Sequence, residues 1–153
     1  MSSVDHKLTG GCQCGAVRFA CEELGRASIC HCRMCQKAFG GFYGPLVTAR
    51  GLVWTRGAPQ HFRSSNKVRR GFCATCGTPL TFEVDGASAI DVAIGAFDRP
   101  EAIPPVIQVG IESRLPWVNR LGDLPERNAD EAAAVAGFFA DIVSYQHPDH
   151  DTP

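Results

Sequence analysis

Seven of the eight cysteines in this chain fall into three short clusters. The densest is a C-x-C-x-x-C triplet in the stretch ICHCRMC, formed by Cys30, Cys32 and Cys35. The other two are pairs, Cys12 with Cys14 in GGCQCG and Cys73 with Cys76 in GFCATCG. In a chain that is kept reduced, clustered thiols favour metal binding or redox chemistry over structural disulfides. The sulfurs are therefore the first candidates for chemistry.

The two cysteine pairs together have the composition of a closed zinc site. Zinc prefers thiolate ligands in a tetrahedron, and two cysteines one or two residues apart can both face one ion. The glycines beside each pair suit tight turns that fold the backbone around an ion. Ligation would also offset the entropy of closing a loop of about 60 residues. We therefore predict one structural zinc, held by Cys12, Cys14, Cys73 and Cys76.

The triplet predicts a second zinc with an open position. Cys30, Cys32 and Cys35 can hold one ion and leave the fourth corner of the tetrahedron for solvent or a ligand. Such an open corner distinguishes catalytic zinc sites from structural ones. His31 lies between two of these cysteines, and in an extended loop its side chain would point the other way. We expect it to lie behind the ligands or to face solvent.

The sulfur pattern alone leaves other interpretations open. Cys73 and Cys76 could be a redox pair, and disulfides, an iron–sulfur cluster or another division of the seven sulfurs are further alternatives. Cys21 lies apart from the clusters, and we expect a buried core thiol there. His147 and His150 lie among acidic residues in the polar tail QHPDHDTP, which we expect to fray in solvent rather than bind metal.

The elements that must position these cysteines are predicted to be mostly β-strands. Short runs of alternating or apolar residues are separated by turn residues such as Asp85-Gly86 and Pro104-Pro105. The predicted strands lie in AVRFACE, YGPLVTA, GLVWT, QHFRSS, PLTFEV, AIDVAIGAF and VIQVGIE. Many short strands at this spacing favour an all-β or mostly β body.

One convincing helix is predicted late in the chain, in NADEAAAVAGFFADIVSY. Asn128 or Asp130 can cap its start. An apolar stripe at helical spacing should dock on the β body and stabilise it. The stripe consists of Val135, Phe138, Phe139, Ile142 and Val143.

Length and composition predict one domain over residues 1–153, with a core from about 10 to 145 and a tail over 146–153. Apolar residues make up 44% of the 153, and the formal net charge is −1. That balance argues against a nucleic-acid partner. No apolar run is long enough to span a membrane, and the N-terminus lacks a signal-peptide core. We expect a soluble, cytoplasmic protein.

Three stretches in this order resemble motifs of one family: GGCQCGAVRF, CHCRMCQKAFG and FRSSNKVRRGFCATCGTPL. The chain resembles the glutathione-dependent formaldehyde-activating enzyme (GFA) family, also called the CENP-V/GFA domain family, from residue 10 to about 145. The resemblance implies an Mss4-like fold of several curved antiparallel sheets around a structural zinc. It also implies a second, catalytic zinc at the triplet. Family members of known activity join glutathione to formaldehyde, giving S-hydroxymethylglutathione, and are classed as carbon–sulfur lyases for the reverse reaction.

Glutathione carries two carboxylates, so cationic residues near the sulfurs are candidates for binding it. The first candidates are Lys67, Arg69 and Arg70 in NKVRRG, and Arg33 and Lys37 lie in and after the triplet. Possible pocket walls are Phe39, Phe42 and Trp54.

Two functions of different classes fit this pattern. The first is a zinc-dependent enzyme, with two zinc ions per chain, that acts on a small thiol and a small aldehyde, either the family's pair or another. The second is a zinc-stabilised binding module of the same fold without catalysis. Either would be a monomer or a homodimer.

Overall fold

The computed structural model describes residues 8–153. The N-terminal MSSVDHK, in which we found no signal-peptide core, lies outside the described residues. The chain divides into two compact units: one runs to Arg114 and includes Gln146–Pro153, and the other is Leu115–Tyr145. The expectation of a single domain therefore stays a prediction. All seven clustered cysteines belong to the first unit.

Ten strands form two sheets in the part of the first unit that the structure describes. A three-stranded sheet has the order β1-β2-β5, and a seven-stranded sheet has the order β10-β3-β4-β9-β8-β7-β6. The pairings are antiparallel except for β10, which runs parallel to β3. The strands are β1 (Leu8–Gly11), β2 (Arg18–Cys21), β3 (Glu23–Cys30), β4 (Gly44–Arg50), β5 (Val53–Arg56), β6 (Gln60–Arg63), β7 (Val68–Phe72), β8 (Pro79–Val84), β9 (Ile90–Ala93) and β10 (Ile107–Val109).

The mostly β fold with a C-terminal helix confirms the predicted fold class and is compatible with an Mss4-like fold. Each of the seven predicted runs overlaps a strand, and β8 matches its run from end to end. Strands β1, β3 and β7 were not predicted, and in β3 Leu24, Gly25 and Arg26 interrupt the alternation of apolar residues. Cys21 is buried in the core beside Phe19, as predicted.

A short helix, α1 (Arg33–Phe39), follows the end of β3 and was not predicted from the sequence. The side chain of Cys32 caps its first turn by accepting a hydrogen bond from the amide of Cys35. Gly40 ends it in the left-handed conformation, with φ of 60°. Seven residues make only two turns, too few for helical periodicity to be recognised. The triplet therefore spans a strand end and a helix, and the backbone is extended from Cys30 to Cys32, as we expected around His31.

The second unit contains the predicted C-terminal helix, α2 (Ala129–Ala140). Asn128 caps it in a capping box with Glu131, which confirms one of the two predicted caps. The helix ends at Ala140, earlier than predicted, and the β-branched residues Ile142 and Val143 follow its end. Within its own unit the apolar stripe is largely exposed. Docking of that stripe on the β body stays a prediction.

The C-terminal tail is held against the strands of the first unit, so the prediction that it frays is wrong. The guanidinium of Arg18, which is 3% exposed, binds the carboxylates of Asp98 at 2.6 Å and Asp151 at 2.8 Å. Arg56 donates to the carbonyl oxygen of Thr152 at 2.7 Å. Buried arginines require such anionic partners, and one of them is supplied by the tail.

None of the helices in residues 8–153 is long and apolar enough to cross a membrane.

Candidate metal centre

Four cysteine sulfurs converge where the first and third clusters meet. The Sγ atoms of Cys12, Cys14, Cys73 and Cys76 all lie within 4.8 Å of one another. Cys14 Sγ is 3.6 Å from Cys12 Sγ and 3.8 Å from Cys73 Sγ. A tetrahedron with zinc–sulfur bonds of about 2.3 Å has edges of about 3.8 Å. The four thiols therefore fit a closed zinc site, and all eight cysteines of the chain are free of disulfides.

Two glycine turns bring these sulfurs together. Gly15 follows the first pair and Gly77 the second, both in the left-handed region with φ of 78° and 77°. The amide of Gln13 donates to the hydroxyl of Thr78 at 3.0 Å, which ties one turn to the other. The amide of Val17 donates to Cys12 Sγ at 3.2 Å, a contact that favours a thiolate. The turns predicted from the flanking glycines are present.

The protonation of this cluster is uneven because its sulfurs compete for negative charge. Burial opposes ionisation of Cys76, but hydrogen bonds from Thr78 outweigh it and lower the pKa of Cys76 to about 6. At Cys14 the amide of Ala16 favours the thiolate, but desolvation and the neighbouring cysteines outweigh it and raise the pKa to about 12. A divalent cation would remove this conflict by stabilising every thiolate.

Three further sulfurs converge at the junction of β3 and α1. Cys30 ends β3, Cys32 caps α1 and Cys35 lies in its first turn, and their Sγ atoms lie within 4.8 Å of one another. Cys35 is buried, whereas Cys30 and Cys32 are half-buried. We call these residues the sulfur triad. Neither cysteine group of the described chain includes a histidine, so three protein ligands are available here.

A buried histidine fixes the loop between two of the triad residues. The side chain of His31 is fully buried, which rules out the solvent-facing position that we allowed for it. Its Nε2 pairs with Gln108 Oε1 at 2.8 Å, and its amide donates to the carbonyl of Val109 at 2.9 Å. The amide side chain of Gln36 donates to the His31 carbonyl at 2.7 Å. These bonds attach the triad loop to α1 and β10.

Gly110, directly after β10, approaches the triad closely. Its φ is 63°, and a Cβ there would lie 3.0 Å from the amide nitrogen of Cys32 and 3.4 Å from Cys30 Sγ. Glycine alone avoids both the strained φ and the crowding. Sequence reasoning missed this residue and Gln36, because both come near the triad only through the parallel pairing of β10 with β3 and the turn of α1.

The guanidinium of Arg70 is the cation in direct contact with the triad. Arg70 is 8% exposed, and its Nη2 donates to Cys35 Sγ at 3.4 Å. It lies over the ring of Phe82 and donates to the hydroxyl of Ser64, both neutral partners. Burial raises the pKa of Cys35 to about 12 although Arg70 opposes the rise. Burial also opposes ionisation of Cys32, but the amide of Cys35 outweighs it, and the pKa of Cys32 is lowered.

Of the five cations predicted to bind glutathione, three line one cavity and two do not. Arg69 and Arg70 are neighbours on β7 and point to opposite faces, so Arg69 pairs with Glu83 at 2.7 Å while Arg70 meets the triad. Lys67 is exposed in the turn directly before β7. Arg33 and Lys37 both lie on α1 and line a cavity together with Arg70.

The predicted aromatic walls lie elsewhere. Phe39 and Trp54 pack against the hydrophobic core, and Trp54 meets Phe19 edge to face with ring centroids 6.0 Å apart. Phe42 is 44% exposed. The cavity between α1 and β6 instead has Phe62 and Met34 among its lining residues.

Comparison with known proteins agrees with this architecture. Residues 7–113 match the family model described as "Glutathione-dependent formaldehyde-activating enzyme". A crystal structure of a Rhodobacter sphaeroides protein is similar, with a TM-score of 0.55 and 24% sequence identity, over 67% of this chain and 100% of that one. At that identity the likeness supports the fold alone. No curated protein matches the chain. Because the family match covers more than half of the chain, this protein belongs to the glutathione-dependent formaldehyde-activating enzyme family.

Proposed function

We propose that this protein joins a small thiol to a small aldehyde and cleaves the same adduct, as a carbon–sulfur lyase of its family. The proposed pair is glutathione and formaldehyde, which give S-hydroxymethylglutathione. The observation that carries the proposal is the sulfur triad, a group of three thiols separate from the four-sulfur cluster. Three ligands leave a position at which a reactant can enter.

The proposed reaction is an addition without a redox partner. The thiol sulfur forms a bond to the carbonyl carbon, the π electrons of the carbonyl move to oxygen, and the thiol proton ends on that oxygen. The reverse reaction breaks the carbon–sulfur bond and returns the proton to sulfur. The protein therefore needs to bind, orient and polarise two small molecules.

We assign one zinc ion to each sulfur group. Cys12, Cys14, Cys73 and Cys76 would hold a structural ion, and the sulfur triad a second ion with an open position. A zinc ion bound at the triad would favour the thiolate form of an added thiol and polarise a carbonyl. Seven ligating thiols require a reducing compartment, and we propose the cytoplasm.

The residues around the triad would balance its charge and hold it rigid. Three thiolates and a divalent cation carry a formal charge of −1, which the buried guanidinium of Arg70 cancels. The bonds of His31 and Gln36 fix the triad loop between α1 and β10. Fixed ligands let two reactants meet in contact geometry. In favourable cases such positioning lowers the activation free energy by about 7 kcal/mol.

The other predicted cations are assigned a weaker role. Arg69 is engaged with Glu83, and Lys67 is exposed outside the cavity that Arg70 lines. We propose that both attract an anionic thiol at long range rather than contact it. Arg70 is the one of the three that we place beside the reactants.

The proposal is tested by measuring the exchange between glutathione, formaldehyde and their adduct by NMR. The reaction proceeds without a catalyst, so the relevant quantity is the rate above that background. The zinc-loaded protein should raise the rate, Cys32→Ser should return it to background, and Cys21→Ala should keep it because Cys21 lies outside both sulfur groups. If the wild-type protein loaded with two zinc ions does not raise the exchange rate above the uncatalysed background, catalysis is contradicted and a binding module is favoured.

A further inference from the structure

A cavity of about 490 Å³ lies between α1 and the strands β6 and β7. It is lined by Arg33, Met34, Lys37, Ala38, Phe62, Ser64 and Arg70, and we call it the α1 groove. Its wall is largely apolar, and its two large apolar side chains are exposed, Met34 by 54% and Phe62 by 64%. Exposed apolar surface in a groove is typical of a site at which another protein surface docks.

The α1 groove also carries positive charge. Three of its lining residues are cations and none is a carboxylate. Arg33 occupies the first position of α1, where the helix dipole disfavours a positive charge. Lys37 suits the last turn but lies four residues from Arg33, so two like charges repel each other on one side of the helix. Helix stability therefore does not account for Arg33, whereas a negatively charged partner would compensate both cations.

Helix α2 carries the opposite combination, an exposed aromatic pair with negative charge. Phe138 and Phe139 are 70% and 54% exposed, and their rings meet edge to face with centroids 5.4 Å apart. Asp130 and Glu131 lie in the first turn, and Asp141 caps the C-terminal end, where the helix dipole disfavours a carboxylate. No ion pair joins any of these carboxylates to another residue of 8–153. An acidic amphipathic helix matches an apolar groove with cations.

The two faces also match in size. Helix α2 has 12 residues and is about 18 Å long, enough to lie along the whole of the seven-residue α1. The aromatic pair of α2 offers on the order of 200 Å² of exposed apolar surface, and Met34 with Phe62 offers as much. A twofold dimer makes the contact twice, so that the buried area approaches about 1,000 Å², the lower limit of a specific interface. One partner, a second copy of this chain, thereby covers both exposed faces.

We infer that α2 of one copy of this chain packs in the α1 groove of a second copy, and that a twofold dimer repeats this contact. Phe138 and Phe139 fill the apolar groove, and the carboxylates of α2 meet its cations. Neither face contains a cysteine, so the dimer does not depend on the proposed reaction. The small area predicts micromolar association that weakens as salt is raised.

Association is tested by analytical ultracentrifugation of the full chain at about 1–100 µM. The wild type should form dimers, and Phe62→Ser and Phe139→Ser should each raise the dissociation constant about tenfold or more, because each side chain is lost from both contacts. Val53→Ser removes an exposed apolar side chain outside both faces and should leave it unchanged. A wild type that stays monomeric throughout would overturn the inference, and so would a dimer that responds equally to all three substitutions or to none.

Pairing between copies is tested by reversing charge on one face at a time. Arg33→Glu/Lys37→Glu makes the groove negative, and Asp130→Lys/Asp141→Lys makes α2 positive. Each double variant alone should dimerise more weakly than the wild type, because like charges then meet in both contacts. In an equal mixture opposite charges meet in both contacts, so native mass spectrometry should show more heterodimer than either homodimer. A mixture without this excess would overturn the inference, including the case in which α2 packs within its own chain.

The control for the mixture is Arg26→Glu/Arg114→Glu, which makes the same change of net charge at exposed residues outside the groove. Mixed with Asp130→Lys/Asp141→Lys, it should show no excess of heterodimer, because its own groove and helix are intact and it pairs better with itself. An equal excess in the control mixture would show attraction by net charge alone and would overturn the inference.

Discussion

At the scale of single residues, Arg70 links the chemistry of the triad to the rest of the molecule. Its guanidinium is buried, and its charged or polarisable partner within the described residues is the sulfur of Cys35 rather than a carboxylate. A buried cation without a counter-charge is strongly unfavourable. The position of Arg70 therefore supports a triad that carries negative charge, as three thiolates around a divalent ion would.

Replacing Arg70 by Met should weaken zinc binding at the triad. Loss of the guanidinium leaves the formal charge of −1 without compensation, and loss of such a supporting group lowers metal affinity by about 10- to 100-fold. Competition with a chromogenic chelator measures the affinity of the weaker zinc ion. Arg50→Gln, an exposed arginine paired with Glu23, is the control and should not change it. Equal affinity in all three proteins would contradict this role of Arg70.

The pair of Arg18 and Asp98 makes stability depend on pH. Burial opposes ionisation of Asp98, but hydrogen bonds from Arg18 and Thr9 outweigh it, so the folded-state pKa lies below the ordinary value of 3.8. The stabilisation is complete above that ordinary value and is lost as the pH falls through the folded-state pKa. The free energy of unfolding, measured with urea, should therefore decrease below about pH 4.

Asp98→Asn should be less stable at pH 7 and should lose less stability on acidification than the wild type. Breaking a buried ion pair from one side costs about 3 kcal/mol. Glu112→Gln, at an exposed carboxylate, is the control. Parallel pH profiles for the wild type and Asp98→Asn would contradict the assignment of this dependence to Asp98.

At the scale of elements, the triad depends on the junction of β3, α1 and β10. The end of β3 supplies Cys30, the first turn of α1 supplies Cys32 and Cys35, and β10 presents Gly110 beside them. Because β10 lies parallel to β3, the carbonyl of Val109 meets the amide of His31. A change in β10 should therefore alter the geometry of the sulfur triad.

Gly110→Ala tests this junction. An alanine at a positive φ costs about 1–2 kcal/mol, and its Cβ would also crowd the amide nitrogen of Cys32 at 3.0 Å. We expect lower stability and weaker binding of the second zinc, measured by thermal unfolding and by chelator competition. Gly86→Ala has a similar φ of 75° with nothing within 4 Å of the new Cβ, so it should lower stability alone. Identical zinc affinity in the two variants would contradict crowding at the triad.

Some of these elements could be predicted from the sequence and others could not. Ligand chemistry depends on local spacing, so the two sulfur groups were predictable from Cys12-x-Cys14, Cys73-x-x-Cys76 and the triplet. Strand β8 was predictable because its apolar alternation is uninterrupted. Helix α1 was not, since seven residues show no clear period, and its first turn holds arginine where an acidic residue would signal a start.

At the scale of the whole molecule, long-range contacts determine what local patterns cannot. The tail reads as polar and proline-rich, yet Asp151 meets Arg18, which lies 133 residues earlier. The amide of His147 donates to the carbonyl of Gln13 at 2.8 Å, beside the four-sulfur cluster. The tail thus contacts the turn that carries Cys12 and Cys14 of the four-sulfur cluster.

Deletion of Gln146–Pro153 should destabilise the first unit and speed zinc loss from the four-sulfur cluster. The deletion removes one of the two carboxylates from Arg18 and the contact to the Gln13 turn, a loss of roughly 2 kcal/mol. Urea unfolding and the rate of zinc transfer to a chelator measure the two effects. Asp149→Asn, which keeps the tail and both of those contacts, is the control. An unchanged rate and stability after deletion would contradict a structural role of the tail.

The division of the sulfurs into a group of four and a group of three underlies the proposed function. Native mass spectrometry of the freshly purified, untagged protein counts the zinc ions directly. We predict two zinc ions per chain for the wild type, one for a folded Cys32→Ser variant, and loss of the fold itself for Cys73→Ser. A single zinc ion in the wild type, or equal unfolding of the two variants, would contradict this division.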